Sequence, residues 1–98
     1  MYVVTQHRFK NAQVAFARGE RLIKNEGAPA GVSGLKFYPA RDGSGAVCLW
    51  EAPSVESIRG YVDSTLGDSS DNTCYEVDAR QAFSSLPSGI RDAEAARA

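Results

Sequence analysis

Ala46-Val47-Cys48-Leu49-Trp50-Glu51, running into Ala52-Pro53-Ser54, is the stretch on which the fold turns. In an extended chain Ala46, Cys48 and Trp50 point to one side and Val47 and Leu49 to the other, and both sets are apolar. A sheet with one wet face alternates apolar and polar residues, so this strand predicts a cover on both sides. Just upstream, Leu35-Lys36-Phe37-Tyr38 is another apolar run, and Arg41-Asp42-Gly43-Ser44-Gly45 between the two reads as a hairpin turn. Just downstream, Ser54 is an N-cap for a helix in which Val55, Ile58, Val62 and Leu66 recur on one stripe, with Gly67 at the exit. Its capping box is incomplete, because Ser57 stands where Glu or Gln is expected.

Working outward, Tyr2 to Phe9 alternates and is rich in Tyr, Val, Thr and Phe, which predicts a first strand. Asn11 to Glu26 is free of proline and places Ala12, Ala15, Phe16, Gly19, Leu22 and Ile23 on one helical stripe. Asn11 caps that helix, Glu20 and Lys24 form an i,i+4 pair, and Gly27 with Pro29 stops it. At the other end, Asp68 to Asn72 reads as a polar turn and Thr73 to Asp78 as a fourth strand. Ala79 to Phe83 adds a helical turn, so residues 1–86 form one domain and residues 87–98 a tail kept out of its core.

The order β-α-β-β-α-β is the ferredoxin-like, split βαβ pattern of the α+β class. Right-handed crossovers then set an antiparallel sheet in the order four, one, three, two, with both helices on one face. Two copies packed sheet against sheet would cover the bare face. The alternative is that Trp50 and Cys48 are isolated apolar residues lying under the C-terminal segment. In this topology Cys48 and Cys74 stand two strand spacings apart, roughly 9 to 10 Å, which is beyond disulfide reach.

Composition narrows the function classes. With 98 residues and eleven Lys and Arg against twelve Asp and Glu, the net charge is −1, which removes the main driving force for non-specific nucleic-acid binding. No apolar run approaches the roughly 18 residues of a membrane span, and the first residues lack a signal-peptide pattern, so a cytoplasmic protein without membrane or nucleic-acid partners is expected. His7 is the only histidine, and no GxSxG, HExxH, Walker A or GxGxxG pattern occurs. Arg18, Arg21 and Lys24 read as solvated helix positions. Asp68-Ser69-Ser70-Asp71-Asn72 lacks the spacing of an EF-hand loop, although Asp63, Asp68, Asp71 and Asp78 make the segment acidic.

Cys48-Leu49-Trp50-Glu51-Ala52-Pro53 leading into Ser54-Val55-Glu56, with Tyr75-Glu76-Val77-Asp78 as the closing strand, resembles a family of small bacterial proteins. That family is the nickel-responsive, ferredoxin-like group of the dimeric α/β-barrel superfamily. The resemblance covers most of residues 2–78. It implies a homodimer whose two sheets enclose a barrel-like interior, and a divalent metal such as nickel as ligand. The superfamily it points to also includes cofactor-free monooxygenases, isomerases and cyclases, and fold alone does not choose among them. The chain departs from the metal-binding pattern in having one histidine and a longer, more polar link over Gly67 to Asn72, and no ligand residue carries over by name.

Two residue sets are candidates for the chemistry. If the strands align end to end, His7, Cys48 and Cys74 come together as metal ligands, or as a nucleophile and its neighbours; the other reading is a hydrogen-bonded strand histidine beside two structural thiols. Tyr38, Trp50 and Tyr75 with Glu51 and Glu76 would line a ligand pocket in which a desolvated carboxylate acts as a base, against a reading as core aromatics and surface ion pairs. The expected function is therefore binding of a small molecule or divalent metal at the barrel interior, with a cofactor-free isomerase, cyclase or monooxygenase as the alternative.

Overall fold

The computed structural model describes all 98 residues. Asn11 starts the first helix as an N-cap should: its backbone is extended and its side-chain oxygen accepts the Val14 N–H at 3.1 Å. Helix α1 (Ala12–Ile23) therefore follows strand β1 (Tyr2–Phe9) after a two-residue turn. It ends at Ile23, three residues before the expected Glu26, because Asn25 adopts a left-handed φ of 59°. The Asn25 side chain then donates to the Val32 carbonyl at 2.9 Å and accepts the Gly34 N–H at 3.3 Å, fastening the loop to the next strand.

That strand, β2 (Ser33–Pro39), forms a hairpin with β3 (Gly45–Glu51), and a bulge at Leu35 interrupts their register. Pro39 is tolerated because β2 is an edge strand and Pro39 is its last residue. Helix α2 (Val55–Leu66) is capped by the Ser54 hydroxyl, which accepts the Ser57 N–H at 3.1 Å. Ser57 answers the missing Glu by donating its own hydroxyl to the Ser54 carbonyl at 2.7 Å. A single 3₁₀ turn over Gly67–Ser69 leads directly into β4 (Ser70–Glu76).

The last strand thus begins three residues before the expected Thr73. Asp71 and Asn72 have poor strand propensity, but tertiary contacts override it. Lys10 pairs with Asp71 at 3.4 Å, and Asn72 is bonded on both sides of its amide. The Val77 N–H adds one bond to the Tyr2 carbonyl after the strand ends.

The four strands form one antiparallel sheet in the order β2-β3-β1-β4, the order the crossovers require, and the fold is a ferredoxin-like α+β arrangement. Three transverse rows face the helices: Gly34–Trp50–Val3–Glu76, Phe37–Cys48–Thr5–Cys74 and Pro39–Ala46–His7–Asn72. Val3, Cys48, Trp50 and Cys74 from these rows join Ile58, Tyr61, Val62 and Leu66 of α2 and Leu22 of α1 in one core. The rows between them, Lys36–Leu49–Val4–Tyr75 and Tyr38–Val47–Gln6–Thr73, face away from both helices. Helix α2 lies along β4 and against α1, whereas α1 touches β2 only sparsely.

Residues 87–98 contribute nothing to the buried core, yet they do not trail away. Asp92 caps a short helix α3 (Ala93–Arg97) by accepting the Ala95 N–H at 2.9 Å. From it Arg97 donates Nε–H to the Ile23 carbonyl at 3.0 Å and an Nη–H to the Gly34 carbonyl. One side chain thereby ties the end of the chain across the gap between α1 and β2.

Candidate functional site

The sparse contact between α1 and β2 has a cause in residue size. Ala15 and Gly19 line the space from α1 with little or no side chain, while the place a Gly34 side chain would take on β2 is held by the Trp50 ring and the Arg97 guanidinium. A cavity of about 450 Å³ results, roofed by α1 and floored by β2 and by Cys48 and Trp50 of β3. Phe9 stacks on His7 with ring centroids 6.2 Å apart and meets Phe16 edge-on at 5.3 Å, and the three rings line one end. Arg91, Ala93, Ala96 and Arg97 of the C-terminal segment border the mouth.

His7 is the polar group at this end, and its protonation follows from its partners. The Asp63 carboxylate only accepts, so the Asn72 amide nitrogen, 2.9 Å away, must face it. The Asn72 oxygen is then turned to His7 Nδ1 at 2.7 Å, and it also accepts the Ser70 hydroxyl at 2.7 Å. Nδ1 therefore carries the proton, and Nε2 accepts the Thr5 hydroxyl at 3.0 Å. Thr5 Oγ1 in turn accepts the Trp50 indole N–H at 3.1 Å. The relay Asp63–Asn72–His7–Thr5–Trp50 runs from the surface to the cavity floor with every buried side-chain polar atom bonded.

Burial lowers the His7 pKa below its ordinary value, outweighing the Asn72 hydrogen bond and the Asp63 charge, which both raise it. The unfolded chain then binds a proton that the folded one refuses, so the contribution of neutral His7 to stability is fully present above about pH 6.5. It is lost as the pH falls from there through the lower folded-state value. Urea unfolding at pH 7.5 and pH 5 should show a loss of stability that shrinks in His7→Asn; an equal loss in both proteins contradicts the assignment.

His7, Cys48 and Cys74 do share the helix-facing side, as the aligned strands require. Cys48 and Cys74, however, are both register partners of Thr5, one from each neighbouring strand, so two strand spacings of roughly 9 to 10 Å separate them. Both are free thiols. Burial pushes the Cys48 thiol up to about 12, against a smaller lowering by its bond to Thr5, and raises that of Cys74 as well. No three His, Cys, Asp or Glu side chains are grouped to hold one metal ion.

The second set is divided between the two faces of the sheet. Trp50 is buried in the cavity floor, whereas Glu51, next in the same strand, points the opposite way. Tyr38 lies at the cavity rim on β2 but belongs to the row that faces away, as does Tyr75. Glu76 is exposed on the far edge strand, outside the cavity. Residues that reading the sequence overlooked are Thr5, Asn72, Gly19 and the arginines of the tail. A signal existed for two of them: Thr5 sits between inward Val3 and His7 in the strand alternation, and Gly19 falls in the middle of the α1 stripe.

Comparison of the chain with family models, curated proteins and solved structures gives no match. These comparisons assign the chain to no family. No helix is long and apolar enough to cross a membrane.

Proposed function

We propose that this protein binds a small, mainly apolar organic molecule in the cavity between α1 and the β2–β3 half of the sheet. The observation that carries the reading is the cavity itself: about 450 Å³ with predominantly hydrophobic walls, within the size range of small-molecule sites. On this reading the ligand sits under the helices of one chain, where the sequence suggested an interior shared by two sheets. A divalent metal such as nickel finds less here, because both His7 ring nitrogens are hydrogen-bonded and both thiols hold their protons.

Trp50, the only tryptophan, lies in the cavity floor and is a built-in donor for energy transfer. The neutral dye N-phenyl-1-naphthylamine should bind saturably, with emission excited through Trp50. In Gly19→Leu the new side chain occupies the cavity at a helical site where leucine is favoured, so the protein should stay folded and lose the response. No saturable binding, or equal binding by the folded variant, overturns the reading.

A cofactor-free proton transfer, as in an isomerase or cyclase, is supported by one observation: a neutral imidazole with a fixed tautomer lines the cavity. His7 Nε2 would exchange the Thr5 hydroxyl for a substrate proton. On that reading His7→Asn keeps binding and abolishes turnover.

We also propose that a second copy covers the helix-free face, where Tyr2, Tyr38, Val47 and Tyr75 are each 40 to 47% exposed. Sedimentation at micromolar concentration should give a dimer of the 10.5 kDa chain, and Val47→Lys should give a folded monomer. A monomeric wild-type protein contradicts this.

A further inference from the structure

The cavity is lined by cations as well as by apolar groups. Phe9, Phe16 and a neutral His7 lie at one end, the C-terminal segment brings Ile90, Arg91 and Arg97 to the mouth, and Lys36 of β2 is a third cation in the lining. The three ion pairs of the molecule are Lys10–Asp71, Arg18–Asp68 and Arg59–Glu56, so neither mouth arginine is neutralised by a carboxylate. Asp92 is the one acidic residue in the lining, and one of its oxygens caps α3 by accepting the Ala95 N–H; Glu94, three residues from each arginine, lies outside the lining and pairs with neither. Arg97 is half-buried and spends two of its five N–H donors on the Ile23 and Gly34 carbonyls. Those two bonds fix the guanidinium at the rim and leave other donors free. Arg91 has no hydrogen-bond or ion-pair partner on its side chain at all.

We infer that the natural ligand is an amphipathic carboxylate, its apolar body between α1 and the sheet and its anionic head at Arg91 and Arg97. The inference rests on the cavity being a ligand site. An apolar wall alone favours the less polar of two ligands, since burying a charge without a partner is costly. A guanidinium at the mouth reverses that preference, because charge-assisted bonds to a carboxylate exceed those to a neutral hydroxyl.

Octanoate and 1-octanol share nearly all of their apolar body and differ in the head, which makes their order of affinity diagnostic. In displacement of N-phenyl-1-naphthylamine at pH 7.5 and low salt, octanoate should act at about tenfold lower concentration than 1-octanol. Arg91→Gln removes the charge of an exposed side chain that borders the cavity, and should bring the two ligands to parity or reverse their order, each displacement being read against the dye affinity measured for that variant. Added salt should narrow the wild-type gap in the same direction. If 1-octanol displaces the dye as well as octanoate or better in the wild-type protein, the head-group site is wrong and the apolar cavity still stands. An octanoate advantage unchanged in both Arg91→Gln and Arg97→Lys also overturns the placement. Absence of saturable dye binding defeats the cavity reading itself and this inference with it.

Discussion

Trp50→Ala is expected to destabilise the protein by about 3–5 kcal/mol, among the largest losses any single truncation here should produce. Trp50 is only 2% exposed and meets Tyr61 edge-on, with ring centroids 6.0 Å apart. Its indole also supplies the N–H that Thr5 Oγ1 accepts, so truncation removes both core volume and one member of a buried relay. The wall it leaves already borders an open cavity, which limits how far neighbours can collapse into the new space. Phe83→Ala serves as the control: Phe83 is 97% exposed and should change stability by less than about 0.5 kcal/mol. Urea unfolding followed by far-UV circular dichroism reads both, and a loss under about 1 kcal/mol for Trp50→Ala would mean that Trp50 is not a core residue.

Gly45→Ala is the second large effect, expected at about 3 kcal/mol although only one carbon is added. Gly45 begins β3 opposite Arg8, and a β-carbon there would sit 2.1 Å from the His7 backbone oxygen. The obstacle is main chain within the sheet, so no flexible side chain can move aside. Either β3 withdraws from β1 or the His7 peptide rotates, and the second change disturbs the imidazole that lines the cavity. Gly60→Ala, on α2 with no atom within 4 Å of the added carbon, should by contrast stabilise the helix slightly. Thermal unfolding of the two variants should move in opposite directions, and a Gly45→Ala protein as stable as wild type contradicts the register described for β1 and β3.

Much of the fold is written in local signals. Asn11 and Ser54 cap the helices they were expected to cap, and the apolar stripes of α1 and α2 set the crossovers that order the sheet. The start of β4 was hidden, because Asp71 and Asn72 look like turn residues until Lys10, His7 and Asp63 are brought beside them by the rest of the chain. The docking of the tail was hidden for the same reason: Arg97 bonds carbonyls 74 and 63 residues away.

The site was less legible than the fold. Strand alternation alone shows that Trp50 and Glu51 cannot serve one pocket, so the aromatic and acidic set was divisible from the start. That β3 is apolar on both sides was equally plain, but which side meets the helices depends on how the crossovers pack. The cavity is bordered on α1 by the small residues Ala15 and Gly19, and small residues in a pattern read as close packing as readily as empty space. Thr5 and Asn72 carry no motif; their role exists only because the sheet sets them beside His7.

The central claim is that the space beneath α1 receives a ligand. It is tested most directly by recording amide chemical shifts of the isotope-labelled protein while octanoate is titrated in. Saturable shifts are expected to concentrate at Ala15, Gly19, Gly34 and Cys48, with the His7 ring resonances moving on the same binding curve. Shifts confined to Tyr2, Val47 and Tyr75 on the helix-free face, or no saturable shifts at all, would contradict it.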